Sequence, residues 1–287
     1  MKRLLLVVVV SGILLPAGTW AQGPASRSAR PEAAVTPLLK STAALVVDQN
    51  GDRVLYAKNV DAIVPIASIT KLMTAVVVLD SGAALDETLV ITEADLDDIK
   101  HTRSRLRVGT ALTRTEMLRL ALMASENRAA AALARSGEGG THEFAAAMNR
   151  KAASLGMLHT RFVDGTGLSS ENVSTAQDLS RLVAAAYNYP LIREYTTSTS
   201  YAVTLENGRL LHYNNSNRLV GSSVWDIGLS KTGFINEAGR CLVMQSRIAS
   251  RQVVIVLLDS WGKLTRVGDA NRIKKWIETR APRLPES

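Results

Sequence analysis

The stretch Pro65–Ala75, "PIASITKLMTA", decides how the rest of the chain is read. Ser68 and Lys71 stand three residues apart, just ahead of the apolar run "LMTAVVVL". Three residues is nearly one helical turn, so a helix beginning here projects the hydroxyl and the amine from one face. Such a helix start also supplies backbone N–H groups and a dipole that favour developing negative charge beside Ser68. The same residues would equally make an ordinary helix start, so the spacing alone leaves both readings open.

Upstream, "TAALVVDQNGDRVLYAKN" holds two β-type runs around "QNGD", a strong hairpin signal. Downstream the chain turns helical. "LTRTEMLRLALMA" opens with Thr113 and Glu116 spaced as a capping box. "NRAAAALARS" and "THEFAAAMNRKAASLG" read as further helices, the latter ended by Gly156. "DGTGLSSENVSTAQDLSRLVAAAY" gives a Gly-rich loop and another helix, with Ser174 or Thr175 as its cap. After about Thr197 β-type runs return, and "DANRIKKWIETRAP" closes the chain as an amphipathic helix. Strands at both ends with helices between them predict an α+β fold. We expect an antiparallel sheet flanked by N- and C-terminal helices, with a helical subdomain inserted between its strands.

The first residues do not belong to that fold. "MKRLLLVVVVSGILLPAGTWAQ" has Lys2 and Arg3, an apolar core and small residues Thr19 and Ala21, the pattern of a secretory signal peptide over residues 1–21. Residues 22–37 are rich in Pro, Ala, Ser and Arg and read as a flexible tether. Residues 38–287 are left for one domain, its sheet part over about 38–70 and 198–287 and its helical part over about 71–197. An exported chain is expected in the periplasm. The net charge of +8 suits anionic surroundings such as a cell wall or lipid headgroups, consistent with weak wall or membrane association. Nucleic acid fits poorly, with 5% aromatic residues and no recognised motif. The four histidines lack metal-ligand spacing, so neither metal nor other cofactor is expected. Cys241 has no partner for an internal disulfide and, in the apolar "GRCLVMQS", reads as a buried inert thiol.

Three short motifs carry chemistry, and two occur twice. Ser-x-x-Lys appears at Ser68/Lys71 and at Ser260/Lys263; Ser-x-Asn at Ser125/Asn127 and at Ser170/Asn172; Lys-Thr-Gly once, at Lys231–Gly233. Context separates the copies. Ser260 ends the strand-like "VVIVLLDS", and Gly262 discourages a shared helical face with Lys263. Ser170 lies in a Gly-rich loop where Ser and Asn serve as caps. Ser68 and Ser125 are therefore the candidates, and Glu126 reads as a solvated acid.

Ser-x-x-Lys, Ser-x-Asn and Lys-Thr-Gly in that order form the established signature of penicillin-recognising serine enzymes. "SITKLMTA", "LMASENRAAAALA", "DGTGLSSENVSTAQDL" and "GLSKTGFINEAGRCLVM" together resemble the low-molecular-mass D-alanyl-D-alanine peptidases. Among these the chain looks most like the D-alanyl-D-alanine endopeptidase branch, the penicillin-binding protein 7 type. The resemblance implies a β-lactamase/transpeptidase-like fold, and as partners the peptide stems and cross-links of peptidoglycan, with β-lactams as covalent inhibitors. It makes Ser68 the nucleophile, Lys71 its base and Ser125 the relay of a proton to the leaving amine. Asn127, Lys231, Thr232 and Gly233 would bind substrate, Lys231 also lowering the Lys71 pKa and Gly233 leaving room for a peptide alongside. The backbone N–H groups of Ser68 and Phe234 would form the oxyanion hole.

A β-lactamase of the class A type would add a Glu-x-x-Leu-Asn loop, which is absent from the sequence. A D,D-carboxypeptidase remains the second enzyme reading. Many carry a further C-terminal domain; the short stretch after Gly233 and "KTGFINEAGRCLVM" favour an endopeptidase acting on D-Ala–diaminopimelate cross-links. A non-catalytic sensor of wall fragments or β-lactams has no need of an activated nucleophile.

Overall fold

The computed structural model describes residues 36–49 and 53–280. The expected signal peptide, the tether up to residue 35 and residues 50–52, part of the expected "QNGD" turn, lie outside the described residues. In chain order the elements begin with β1 (Ser41–Asp48), β2 (Arg53–Lys58) and the short β3 (Val64–Pro65). A 3-10 turn (Ala67–Ile69) leads into α1 (Thr70–Asp80). The helical half continues through β4 (Thr88–Val90), β5 (Ala111–Thr113), α2 (Arg114–Arg119), α3 (Asn127–Arg135), α4 (Gly140–Ser154), β6 (Val173–Ser174), α5 (Ala176–Ala186) and α6 (Pro190–Thr197). The chain then forms β7 (Ser200–Thr204), β8 (Leu210–Asn214), β9 (Asp226–Ile235), β10 (Gly239–Ile248), β11 (Arg251–Ser260) and α7 (Thr265–Arg280).

Five strands form one antiparallel sheet in the order β2-β1-β11-β10-β9. Its centre, β11, is the "VVIVLL" run, buried on both faces as a central strand must be. Alternation along the strands builds two cores. Ala43, Leu45, Val243, Val254, Val256 and Leu258 face the helical half. Ala44, Val46, Leu242, Met244, Ile255 and Leu257 pack under α7 against Ala270, Ile273 and Ile277. Each fully buried aliphatic side chain contributes roughly 1.5–3 kcal/mol.

Two features differ from the sequence expectation. The region from Ser200 to Asn214 is β-structure, but β7 and β8 pair only with each other, so the main sheet resumes at Asp226 and not near residue 198. Val203, Leu211 and Tyr213 turn the hairpin into part of the helical half's core. Among the described residues, no helix precedes β1; the helical face of the sheet is covered by α5, and α7 covers the other. A buried carboxylate ties the ends of the fold together. Asp269 of α7 accepts from Lys40 N at 3.0 Å, Ser41 N at 2.7 Å and Ser41 Oγ at 2.6 Å. No described helix is long and apolar enough to cross a membrane.

Candidate active site

α1 is where the fold and the chemistry meet. Every residue from Thr70 to Val76 is buried, so the helix is a central post of the helical half. Ser68 lies in the 3-10 turn at its head, and Lys71 in its first turn, as the spacing requires. The long lysine side chain is fully enclosed at 1% exposure, and its Nζ has three partners. It donates to Ser68 Oγ at 2.8 Å, Asn127 Oδ1 at 2.8 Å and the Thr166 carbonyl at 2.5 Å. Three acceptors exhaust the donors of an ammonium group.

Ser125 is delivered by a local irregularity. The Thr113/Glu116 capping box forms as expected, with Thr113 Oγ1 accepting from Glu116 N at 3.2 Å and Glu116 Oε2 from Thr113 N at 2.8 Å. After Arg119 the helix widens into a π turn over Leu120–Ala124 and stops on Ser125, whose φ of 61° is left-handed. A non-glycine residue there costs of order 1–3 kcal/mol, strain of the kind that concentrates at working sites. Lys231 of β9, also 1% exposed, donates to Ser125 Oγ at 2.9 Å and to the Thr232 carbonyl at 2.8 Å. The site therefore holds two Ser–Lys pairs, Ser68 with Lys71 and Ser125 with Lys231.

The edge strand β9 closes the site. Thr232 Oγ1 donates to Ser216 Oγ at 2.8 Å. Gly233 is required for a reason the sequence did not reveal. A Cβ there would lie 2.8 Å from the Ile66 carbonyl oxygen and 3.2 Å from Ser68 N, so its bareness first admits the turn that carries Ser68. Phe234 follows with its ring half exposed under the Arg240 guanidinium, 4.4 Å from the ring centroid.

Electrostatics follow from enclosure. Burial lowers the Lys71 pKa from 10.5 to about 8, against the carboxylates of Asp164, Glu126 and Asp97, which pull it upward. Desolvation is thus the largest cause at Lys71. The repulsion between the two ammonium groups is registered at Lys231, which burial, Lys71 and Arg266 hold well below the usual lysine range. Glu126 also departs from expectation. It is 7% exposed, accepts a short hydrogen bond from Ser104 Oγ, and burial raises its pKa. Its alternation with Ser125 and Asn127 turns it inward, where the sequence suggested a solvated acid.

In the second motif copies, Ser260 and Asn172 make structural contacts. Ser260 Oγ lies 2.7 Å from Ser41 Oγ, in the Asp269 cluster. Asn172 is fully buried. Its Oδ1 accepts from Val163 N at 2.7 Å, and its Nδ2 donates to the Asp164 carbonyl at 3.1 Å. That anchors the "DGTGL" loop, whose part the sequence reading missed. Asp164 Oδ1 accepts from the N–H groups of Thr166 and Gly167, both at 2.6 Å, bending the turn that aims the Thr166 carbonyl at Lys71. Asp followed by Gly three residues on was the available signal. Thr102, another residue overlooked, accepts from Asn127 Nδ2 at 2.9 Å. Cys241 is buried in β10, its thiol pushed up to about 11 by desolvation, as an inert core cysteine should be.

A hydroxyl paired with a desolvated lysine, a second hydroxyl paired with a second lysine and a strand edge beside both are the parts a serine acyl-transfer site needs, on a β-lactamase/transpeptidase-like scaffold. The chain belongs to the S11 peptidase family: the family profile, described as D-alanyl-D-alanine carboxypeptidase, matches residues 30–262. It is 50% identical over 242 residues to a D-alanyl-D-alanine endopeptidase of Pseudomonas aeruginosa, covering 84% of this chain and 78% of that one. A D-alanyl-D-alanine endopeptidase of Escherichia coli is 45% identical over 274 residues, 95% of this chain and 88% of the relative. Among solved structures, the Streptomyces K15 DD-transpeptidase superposes with a TM-score of 0.77 at 28% identity, over 84% of this chain and 98% of that one.

Proposed function

We propose that this protein is a serine D,D-endopeptidase that hydrolyses D-Ala–diaminopimelate cross-links of peptidoglycan through an acyl-enzyme on Ser68. The observation that carries the chemistry is the enclosed Lys71 Nζ, 2.8 Å from Ser68 Oγ and with a pKa brought to about 8. The neutral amine takes the hydroxyl proton as Ser68 Oγ attacks the D-Ala carbonyl carbon. The N–H groups of Ser68 and Phe234 receive the oxyanion. The C–N bond then breaks, and the leaving amine takes a proton through Ser125, whose oxygen lies on Lys231. Water hydrolyses the ester and restores Ser68. Asn127 holds a substrate amide, and Thr232 and Gly233 bind the peptide along the β9 edge.

The family description favours a carboxypeptidase, whereas the relatives at 50% and 45% identity carry the endopeptidase name; identity at that level over most of both chains favours the latter. Penicillins acylate the same Ser68 and leave slowly, because the chain has no Glu-x-x-Leu-Asn loop to activate water against that ester. Residues 1–21 act as a signal peptide and 22–37 as a tether, placing the domain from residue 38 in the periplasm with weak wall or membrane association.

The deciding experiment offers the mature protein both cross-linked muropeptide dimers and pentapeptide monomers, with Ser68→Ala as control, and follows both by mass spectrometry. Dimer converted to monomer, and lost in the variant, is the expected result. Removal of one alanine from the pentapeptide alone would make the protein a carboxypeptidase. No change in either would overturn the catalytic reading in favour of a sensor.

A further inference from the structure

Next to Thr232 the fold gathers positive charge and leaves it unbalanced. Ser216, the partner of the Thr232 hydroxyl, forms one wall of a cleft of about 110 Å³. Its other walls include Arg218, Arg240, Lys263 and Arg266, and no Asp or Glu. None of these four forms an ion pair among the described residues. The cleft borders the strand edge directly. Arg266 Nη1 donates to the Gly233 carbonyl at 3.0 Å and the Cys241 carbonyl at 3.2 Å, and Arg240 covers the Phe234 ring. Arg218 and Lys263 are exposed, so their charges face solvent. Like charges held together without counter-ions are a standing cost that an anion would relieve. The opposite flank has the reverse character. The cavity shared by Asn127 and Thr166 is lined by Asp97, Asp98 and Asp164, together with Asp95, which Arg135 pairs at 2.9 Å.

We infer that the basic cleft is the subsite for the departing peptide, with Arg218, Arg240 and Lys263 holding carboxylates of the stem on the amine side of the scissile bond. This rests on the endopeptidase reading, and it supplies what distinguishes that activity. When a carboxypeptidase acts, a single alanine departs and carries one carboxylate. When a cross-link is cut, the departing amine belongs to a second, carboxylate-bearing stem that must extend past Thr232. Cations beyond the strand edge are redundant for the first substrate and complementary to the second. The acidic opposite flank repels the same stem and so sets which way round a cross-link lies.

The probe is a synthetic peptide with a D-configured amino-terminal residue and three carboxylates, compared with the same peptide fully amidated. Titration calorimetry on the intact mature protein measures both. The carboxylate form is expected to bind at least about tenfold more tightly to wild type. In R218Q/R240Q/K263Q that preference falls to within about twofold. R218Q/K263Q, which keeps the Arg240–Phe234 stack, gives an intermediate value and guards against misfolding of the triple variant. Equal affinity of both peptides for wild type would overturn the assignment. So would a preference that survives in a triple variant still acylated normally by penicillin. Parallel turnover of cross-linked dimers separates the two readings. Selective binding without dimer cleavage removes the endopeptidase and keeps an acidic-peptide site. Dimer cleavage with unselective binding does the reverse.

Discussion

Replacing Lys71 by Arg tests whether the site works by shedding a proton. The cation and its reach are kept, but a guanidinium does not deprotonate in a protein. With a pKa of about 8, roughly a tenth of Lys71 is neutral at pH 7; at the ordinary 10.5 the fraction would be about 3 in 10,000. Enclosure therefore raises the supply of free amine roughly 300-fold, equivalent to about 3 kcal/mol. For an Arg of pKa above about 12 the neutral fraction at pH 7 is below about 10⁻⁵, so acylation should fall by about 10⁴ or more. Pre-steady-state acylation of Ser68 by a fluorescent penicillin, followed from pH 6 to 10, reads both effects. Wild type should show a rate that climbs tenfold per pH unit below 8 and levels above it. A flat wild-type profile, or an Arg variant retaining more than about a hundredth of the rate, would refute the assignment of Lys71 as base.

The same burial makes a prediction for stability. Folded Lys71 loses its proton near 8 and the unfolded chain near 10.5, so between these values the unfolded state binds more protons and stability rises with pH. From pH 7 to 9.5 wild type should gain about 2 kcal/mol on Lys71→Met in urea titrations; no change in the difference would refute it. Gly167→Ala should cripple acylation by about 100-fold or more. The residue has φ +80°, and a Cβ would fall 2.1 Å from the Ala67 carbonyl oxygen and 2.9 Å from Ser68 N; an unchanged rate would show that the turn yields freely. Asp269→Ala should cost about 3 kcal/mol, since Lys40 N, Ser41 N and Ser41 Oγ lose a buried acceptor, while acylation of the folded protein stays within about twofold. Cys241 should resist thiol reagents at pH 8 until urea unfolds the chain; prompt labelling of native protein would contradict its burial.

Much of this was legible because it depends on local spacing. The hairpin of β1 and β2, the capping box at Thr113, the helix stop at Gly156 and the choice of Ser68 and Ser125 over their duplicates all rest on residues within a few positions of one another. What escaped is non-local. Glu126 looked solvated because nothing nearby in sequence announces Ser104, 22 residues earlier, as its partner. Gly233 reads in the sequence as room for the substrate, while its clearance of a turn 165 residues upstream is visible only in the fold. Asn172 and Asp164 resembled loop filler until the fold brought Lys71 against the carbonyl they position. The β7–β8 hairpin has the alternation of a sheet strand, and alternation cannot say which sheet a strand joins.

The strand order also fixes when the protein can become itself. β1 is the first and β11 the last strand among the described residues, yet they are neighbours, with Ser41 opposite Ser260 and Asp48 opposite Val253. The middle of the sheet is therefore synthesised last. Until β11 arrives, β1 and β2 are an isolated hairpin with an apolar flank exposed, and a lone hairpin is marginal in water. Contacts of such long sequence separation close slowly. A chain built this way cannot lock its main sheet until β11 has been made.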